Sequence, residues 1–126
     1  MLFVYGTLQF AVVLEAVIGR VPALAPAAVV GWRVAALPGR VYPGLVPAAL
    51  GARAVGQVLS GLTAGEWAAL DAFEGASYER RELDLDGGGR AFAYVWLDVD
   101  HVAGHDWDPA RFAAVELADY VDGCSG

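Results

Sequence analysis

The fold is decided by the segment Leu2-Phe3-Val4-Tyr5-Gly6-Thr7-Leu8 near the start of the chain. Its first four residues form a continuous apolar run, which is typical of a buried β-strand. Gly6 and Thr7 interrupt that run, and apolar residues then recur at helical spacing from Phe10 to Ile18. The segment therefore predicts a strand, a glycine turn and a helix in immediate succession.

The second half of the chain carries local signals for two more helices and a hairpin. Thr63-Ala64-Gly65-Glu66 is a capping-box pattern, and Gly75 follows as the stop signal of the helix that it begins. Asp86-Gly87-Gly88-Gly89 separates two strand-like runs and predicts a β-hairpin. Asp108-Pro109 pairs an N-cap residue with proline in the first turn, which predicts the start of a terminal helix.

The middle of the chain is richer in strand signals and in proline. Residues 28–36 and 53–59 predict strands, whereas residues 21–26 predict a loop. The segment from Val41 to Pro47 predicts irregular backbone, because its prolines cannot donate to a central ladder. We expect that segment to lie at a sheet edge or to line a cleft.

Strands outnumber helices, and most are close neighbours in sequence, which favours a mixed or antiparallel sheet. We therefore expect an α+β fold: a small mixed β-barrel, closed or strongly curled, with about three flanking helices. A length of 126 residues fits one domain that spans residues 1–126.

Charge and cysteine content narrow the class of partner. The formal charge of −7 comes from residues 66–126, which hold most of the carboxylates. Nucleic-acid binding is not expected, because it needs clustered cations. Membrane insertion is not expected either, because the apolar stretch from Phe10 to Ile18 is too short and contains Glu15. Cys124 is the only cysteine, so an intrachain disulfide is impossible and a cytoplasmic location is expected.

Glu74 is the first candidate for chemistry. It lies in Leu70-Asp71-Ala72-Phe73-Glu74-Gly75, at the expected end of a helix. The negative end of the helix dipole and partial burial would both raise the pKa of its carboxyl, which suits a general acid/base near neutral pH. The alternative is an exposed glutamate in the last turn that has no role.

The glycine turn is the second candidate. Gly6 permits backbone angles at which successive N–H groups converge, and the following helix adds unpaired N–H groups and its positive dipole end. A substrate carboxylate would fit there. The alternative is an ordinary turn between a strand and a helix.

Taken together, these segments resemble a known family. The segments Phe3–Leu8, Tyr42–Pro47 and Leu70–Gly75, followed by Tyr78 and Arg80, resemble the γ-glutamylcyclotransferase-like family in its AIG2-like and γ-glutamylamine cyclotransferase branch. The resemblance extends from residue 2 to about residue 97. It implies a small mixed β-barrel with flanking helices, and conversion of γ-glutamyl compounds to 5-oxoproline with release of an amine or amino acid.

The resemblance also implies roles for individual residues. Glu74 would be the catalytic residue, and Tyr78 the tyrosine that follows it in the family pattern. The α-carboxylate of the glutamyl group would bind to the backbone of four consecutive residues: Tyr5, Gly6, Thr7 and Leu8. We also expect Tyr42 either to line the cleft or to anchor a packed loop. The reaction needs no metal and no cofactor, because the α-amine of the substrate attacks its own γ-carbonyl.

Several points stay open at this stage. Many relatives follow the glycine turn with a basic residue, whereas Gln9 and Phe10 stand here, so the charge preference of the leaving-group pocket does not carry over from the family. Strand parity favours Arg80 as a structural partner of a carboxylate. His101 and His105 lie in an expected loop, which argues against a metal site. The alternative function is a non-catalytic module that binds a small amino-acid-like ligand, and the oligomeric state is unknown.

Overall fold

A computed structural model describes residues 1–125, and the side chains up to residue 123; Cys124 and its thiol lie outside the described side chains. Within these residues the chain forms seven strands and four α-helices, with a short 3-10 helix at Thr7–Gln9. The strands are β1 (Leu2–Val4), β2 (Leu24–Val30), β3 (Trp32–Ala36), β4 (Pro43–Pro47), β5 (Arg53–Leu59), β6 (Tyr78–Asp84) and β7 (Arg90–Trp96). The helices are α1 (Ala11–Ile18), α2 (Ala64–Glu74), α3 (Pro109–Val115) and α4 (Leu117–Ser125).

The seven strands form one mixed sheet in the order β2-β5-β1-β7-β4-β3, with β6 on β7. Its two end strands, β2 and β3, are joined by Gly31 alone, whose φ of +85° is readily adopted only by glycine. The sheet must therefore curl until its ends meet at that corner. No pairing of β2 with β3 closes it within the described residues, so the expected mixed α+β fold is confirmed but the closed barrel is not.

Strand β7 organises the sheet. Strand β6 pairs with β7 along its whole length, so the remaining partners of β7 must share its opposite edge. Strand β1 takes that edge at Phe92 and β4 takes it at Val95, both running parallel to β7. The end of β1 and the start of β4 therefore meet beside the same edge of β7. The candidate site lies at this junction.

Side chains on the two faces of the sheet contribute to separate apolar clusters. On β7, Ala91, Ala93 and Val95 point to the interior of the curl. Tyr94 points to the opposite face, where α1, α2 and α4 pack around Leu70 and other apolar side chains. Because successive side chains of a strand point to opposite faces of the sheet, β7 contributes to the apolar clusters on both faces. No helix in the described part of the chain combines the length and the apolar character needed to cross a bilayer.

Four expectations about secondary structure are wrong, and the first is the single strand over residues 28–36, which Gly31 divides into β2 and β3. Residues 24–26 belong to β2 rather than to a loop; Pro26 is tolerated because β2 is an end strand of the sheet. The segment 43–47 is the regular strand β4, whose prolines stand at its two ends. The terminal helix breaks at Glu116, where φ is −122°, so four helices are present instead of about three.

Candidate active site

A cavity of about 180 Å³ opens at the junction of β1, β4 and the C-terminal end of α2. Its walls contain every residue that the sequence predicted for the site: Glu74, Tyr5, Gly6, Thr7, Leu8, Tyr42 and Tyr78. The volume is below the range of roughly 300–1,000 Å³ that is usual for drug-sized ligands. The cavity therefore suits a group of amino-acid size.

The glycine turn forms one wall of this cavity as a 3-10 helix. The Gln9 N–H donates to the Gly6 carbonyl at 3.1 Å, and the Phe10 N–H donates to the Thr7 carbonyl at 3.2 Å. The N–H groups at the start of a helix, here those of Thr7 and Leu8, have no acceptor within it. They are the donors available to an anion at this wall.

Glycine is required at position 6 because the chain passes close to Pro43 there. Its backbone angles, φ −125° and ψ −129°, lie outside the helical, extended and left-handed regions. A β-carbon at Gly6 would lie 2.7 Å from Cγ of Pro43, which is closer than real contacts allow. The glycine thus lets the end of β1 pack directly against the start of β4.

Gln9 fastens the turn from outside the cavity. Its side-chain amide donates to the carbonyl of Tyr5 at 2.7 Å, and makes a longer contact of 3.4 Å with the carbonyl of Gly6. The side chain of Gln9 is therefore used to hold the backbone of the turn. It brings no positive charge to the site.

Glu74 lines the same cavity, as the last residue of α2. The helix stops there because Gly75 adopts a φ of +75°. The Glu74 side chain is partly buried, and burial raises the pKa of its carboxyl to about 8. This direction agrees with the expectation from sequence. No hydrogen bond or ion pair to this carboxyl is found within residues 1–123, so its charge is left uncompensated.

All five tyrosines of the chain line the same cavity: Tyr5, Tyr42, Tyr78, Tyr94 and Tyr120. Several of their hydroxyls are fixed by protein acceptors. Tyr5 Oη donates to the Tyr94 carbonyl at 2.5 Å, and Tyr78 Oη donates to the Pro43 carbonyl at 2.7 Å. Burial and then the neighbouring Glu74 raise the pKa of both phenols above the ordinary value. They therefore stay protonated and rigid at neutral pH.

Sequence reasoning did not name Ser77, Tyr94 and Tyr120 as site residues, although they line the cavity. Strand alternation gave a partial signal for Tyr94, since it shares a face of β7 with two other aromatic residues. Tyr120 comes from α4, and its hydroxyl lies 3.3 Å from Oγ1 of Thr7. A contact across 113 residues leaves no local trace in the sequence.

Arg80 is held outside the cavity by other partners. Its Nη1 lies 3.3 Å from an Asp71 carboxylate oxygen, and its Cζ stands 4.6 Å from the centre of the Trp67 ring. Asp71 also accepts a hydrogen bond of 2.7 Å from Tyr94 Oη. The expected structural partnership of Arg80 with a carboxylate is confirmed. The ion pair holds Asp71, and Asp71 in turn holds Tyr94, which lines the cavity.

The two histidines do not come together. His101 Nδ1 lies 2.7 Å from the Asp98 carboxylate, which raises the pKa of the imidazole. His105 instead contributes its backbone carbonyl to the Ala36 N–H. Within the described residues, no group of three or more acidic, histidine or cysteine side chains is arranged to hold a metal ion.

Comparison with known proteins places this architecture in a family. A family model described as gamma-glutamyl cyclotransferase, AIG2-like, matches residues 2–109. AIG2-like protein C of Arabidopsis thaliana is 33% identical over 126 residues, covering 95% of this chain and 73% of that protein. AIG2-like protein D of the same plant is 34% identical over 104 residues, covering 78% of this chain and 68% of that protein.

Solved structures agree with the sequence relatives. Two solution structures of Arabidopsis thaliana proteins each superpose with a TM-score of 0.71. One is 26% identical and matches 97% of this chain against 77% of its own, and the other is 28% identical and matches 97% against 85%. The matched sequence pattern and the shared fold show that this chain belongs to the gamma-glutamyl cyclotransferase, AIG2-like family.

Proposed function

We propose that this protein is a cyclotransferase that converts a γ-glutamyl amine or peptide to 5-oxoproline and releases the amine or amino acid. The observation that carries the proposal is that the glycine turn and the Glu74 carboxyl line one small cavity. The first supplies anion-binding N–H groups, and the second supplies a carboxyl whose pKa burial raises to about 8.

The cavity suits the charges of a γ-glutamyl group. The substrate α-carboxylate would accept hydrogen bonds from the N–H groups of Thr7 and Leu8. Its α-ammonium would then lie among tyrosine rings, which attract cations, and near Glu74. No lysine, arginine or histidine lines the cavity, so nothing there would repel the ammonium.

The chemical step is a ring closure with a transferred proton. Glu74 takes a proton from the α-ammonium, and the freed nitrogen attacks the γ-carbonyl carbon to form a five-membered ring. As the tetrahedral intermediate collapses, the bond from that carbon to the leaving nitrogen breaks and the ring nitrogen gives up its second proton. The amine departs as an ammonium that carries both protons, one of them returned by Glu74. Reactant and products balance without water, an oxidant or a reductant.

Positioning supplies much of the rate enhancement. Nucleophile and electrophile belong to one molecule, and well-oriented intramolecular reactions reach effective molarities on the order of 10⁵–10⁸ M. The narrow cavity favours the curled conformer in which the two groups meet. Because Tyr5 and Tyr78 are held by backbone carbonyls, its walls need little rearrangement when substrate binds.

The test is to incubate the purified protein with a panel of γ-glutamyl amides and dipeptides, and to measure 5-oxoproline by chromatography. We expect turnover, and we expect Glu74→Gln to lower kcat/KM by about 10²–10⁴. Glu79→Gln is the matched control, because Glu79 is exposed on β6 and does not line the cavity. Calorimetric binding of the panel without any turnover would instead favour a non-catalytic binding module.

A further inference from the structure

The mouth of the cavity leads towards an arginine. Most residues that line the cavity are buried or partly buried, and Ser77 is the exposed one. Ser77 also lines a surface groove of about 490 Å³, together with Arg40, Trp96 and Asp98. We call this the mouth groove. Since a cavity of about 180 Å³ has room only for a group of amino-acid size, whatever is bonded to that group must extend into the mouth groove.

Arg40 is held in position at this mouth. Its Nε donates to Tyr42 Oη at 3.0 Å, and Tyr42 lines the cavity itself. The Arg40 Cζ stands 5.4 Å from the centre of the Trp96 ring. Trp96 also packs edge-on against Tyr78, with the ring centres 5.1 Å apart, and Tyr78 belongs to the cavity wall. Two aromatic contacts thus fix a guanidinium beside the opening.

Arg40 also lacks the carboxylate partner that most arginines of this chain have. Six of the eight arginines form an ion pair with a carboxylate: Arg20, Arg33, Arg53, Arg80, Arg81 and Arg90. Arg40 and Arg111 form none within the described residues. Because Nε of Arg40 is engaged by Tyr42, its two terminal nitrogens remain for a ligand.

The other polar side chains near the mouth of the cavity do not take the place of Arg40 in binding an anion. Gln9 at the turn is uncharged, and its amide is bonded to backbone carbonyls, so it brings no cation to the cavity. Asp98 is the carboxylate of the mouth groove, and it is engaged by His101 at 2.7 Å. His101 also lines the groove, but its imidazole is paired with Asp98, so the guanidinium of Arg40 is the cation that remains for an anion entering the mouth groove.

We propose that Arg40 binds a carboxylate on the leaving group, so that the preferred substrates are γ-glutamyl amino acids rather than γ-glutamyl derivatives of uncharged amines. This inference rests on the proposed cyclotransferase activity. The γ-glutamyl group fills the cavity, and the released amino acid lies in the mouth groove with its carboxylate against Arg40. A guanidinium is well suited to this task, because its planar N–H groups match the geometry of a carboxylate.

The experiment compares two substrates that differ only in this charge, γ-glutamyl-alanine and γ-glutamyl-alaninamide. We expect the wild-type kcat/KM to be about tenfold higher for the carboxylate, as one charge-assisted hydrogen bond supplies. Arg40→Met should bring the ratio close to one, mainly through the KM of γ-glutamyl-alanine, and Arg40→Lys should retain part of the preference. Arg111→Met removes another arginine that has no carboxylate partner among the described residues, and it should keep the full ratio.

The outcomes separate the two proposals. A wild-type ratio near one, or a tenfold ratio that survives in Arg40→Met, overturns the role of Arg40 while the cyclotransferase activity stands. If neither compound nor any other member of the γ-glutamyl panel yields 5-oxoproline, the proposed function fails. Calorimetry with the same two compounds then decides the role of Arg40, because an Arg40-dependent preference in Kd supports it and equal Kd values overturn it.

Discussion

Gly6 and Pro43 pack so closely that a single added methyl group would not fit between them. The missing β-carbon of Gly6 would lie 2.7 Å from Cγ and 3.0 Å from Cδ of Pro43. This contact joins the end of β1 to the start of β4 on the same edge of β7. It fixes the anion-binding turn relative to the rest of the cavity wall.

Gly6→Ala should therefore damage both stability and activity. The pyrrolidine ring cannot rotate away, so the backbone of the turn must shift, at a cost of about 1–3 kcal/mol in the free energy of unfolding. The displaced N–H groups should also raise the KM for γ-glutamyl substrates. Urea unfolding and steady-state kinetics measure the two effects.

Gly65→Ala is the matched control for that substitution. Gly65 lies in the first turn of α2, where an added β-carbon would meet only Thr63 Oγ1 at 4.0 Å. Alanine also favours the helix by roughly 0.5–1 kcal/mol relative to glycine. Equal destabilisation by the two substitutions would contradict the assigned role of the Gly6 contact.

The raised pKa of Glu74 should make the folded protein less stable at high pH. Burial holds the pKa at about 8 against 4.5 for an unperturbed glutamate, so the unfolded chain loses this proton first. Stability then falls as the pH rises from about 4.5 to 8, and the full cost is present above pH 8. Discounted for partial exposure of the side chain, the cost is about 2 kcal/mol.

Glu74→Gln removes that titration. We expect the variant to match the wild type in stability near pH 5 and to exceed it by about 2 kcal/mol at pH 9, measured by urea unfolding at both values. Glu79→Gln on the exposed face of β6 should show no such difference between the two pH values. A Glu74→Gln protein whose advantage does not grow with pH would show that the carboxyl is not buried in solution.

Tyr78→Phe should loosen the wall that Tyr78 and Pro43 form together. It leaves the Pro43 carbonyl without its 2.7 Å hydrogen bond in a partly buried site, which costs about 1–2 kcal/mol. Tyr42→Phe should cost less than about 0.5 kcal/mol, since the hydroxyl of Tyr42 is bonded to Arg40 in an exposed position. Thermal unfolding measures the stability of both variants. A larger loss of stability in Tyr42→Phe than in Tyr78→Phe would contradict this prediction.

The parts of the fold that could be predicted are those set by neighbours in sequence. The capping box is confirmed. Thr63 Oγ1 accepts a hydrogen bond from the Glu66 N–H at 3.1 Å, and the Glu66 carboxylate accepts one from the Thr63 N–H at 3.0 Å. The glycine hairpin is confirmed by the pairing of β6 with β7. Each signal lies within a few residues, so local chemistry is enough to specify it.

The parts that could not be predicted depend on distant contacts. The placing of β1 and β4 end to end on one edge of β7 decides where the cavity forms, and no local pattern encodes it. The neighbours of Gly31 are strand formers and predict one strand over residues 28–36, whereas the curl of the sheet needs a corner at Gly31. Tyr120 reaches the cavity only because α4 packs across the turn.

The central claim is that the Glu74 carboxyl in this cavity transfers the proton of the ring closure, and a pH profile of kcat/KM for 5-oxoproline formation tests it most directly. Since the free enzyme must hold Glu74 unprotonated, the account predicts that activity rises with pH through about 8, and falls once the substrate ammonium has lost its own proton. A profile that is flat between pH 6 and 9, or one whose rise is centred near the ordinary glutamate value of 4.5, would contradict it.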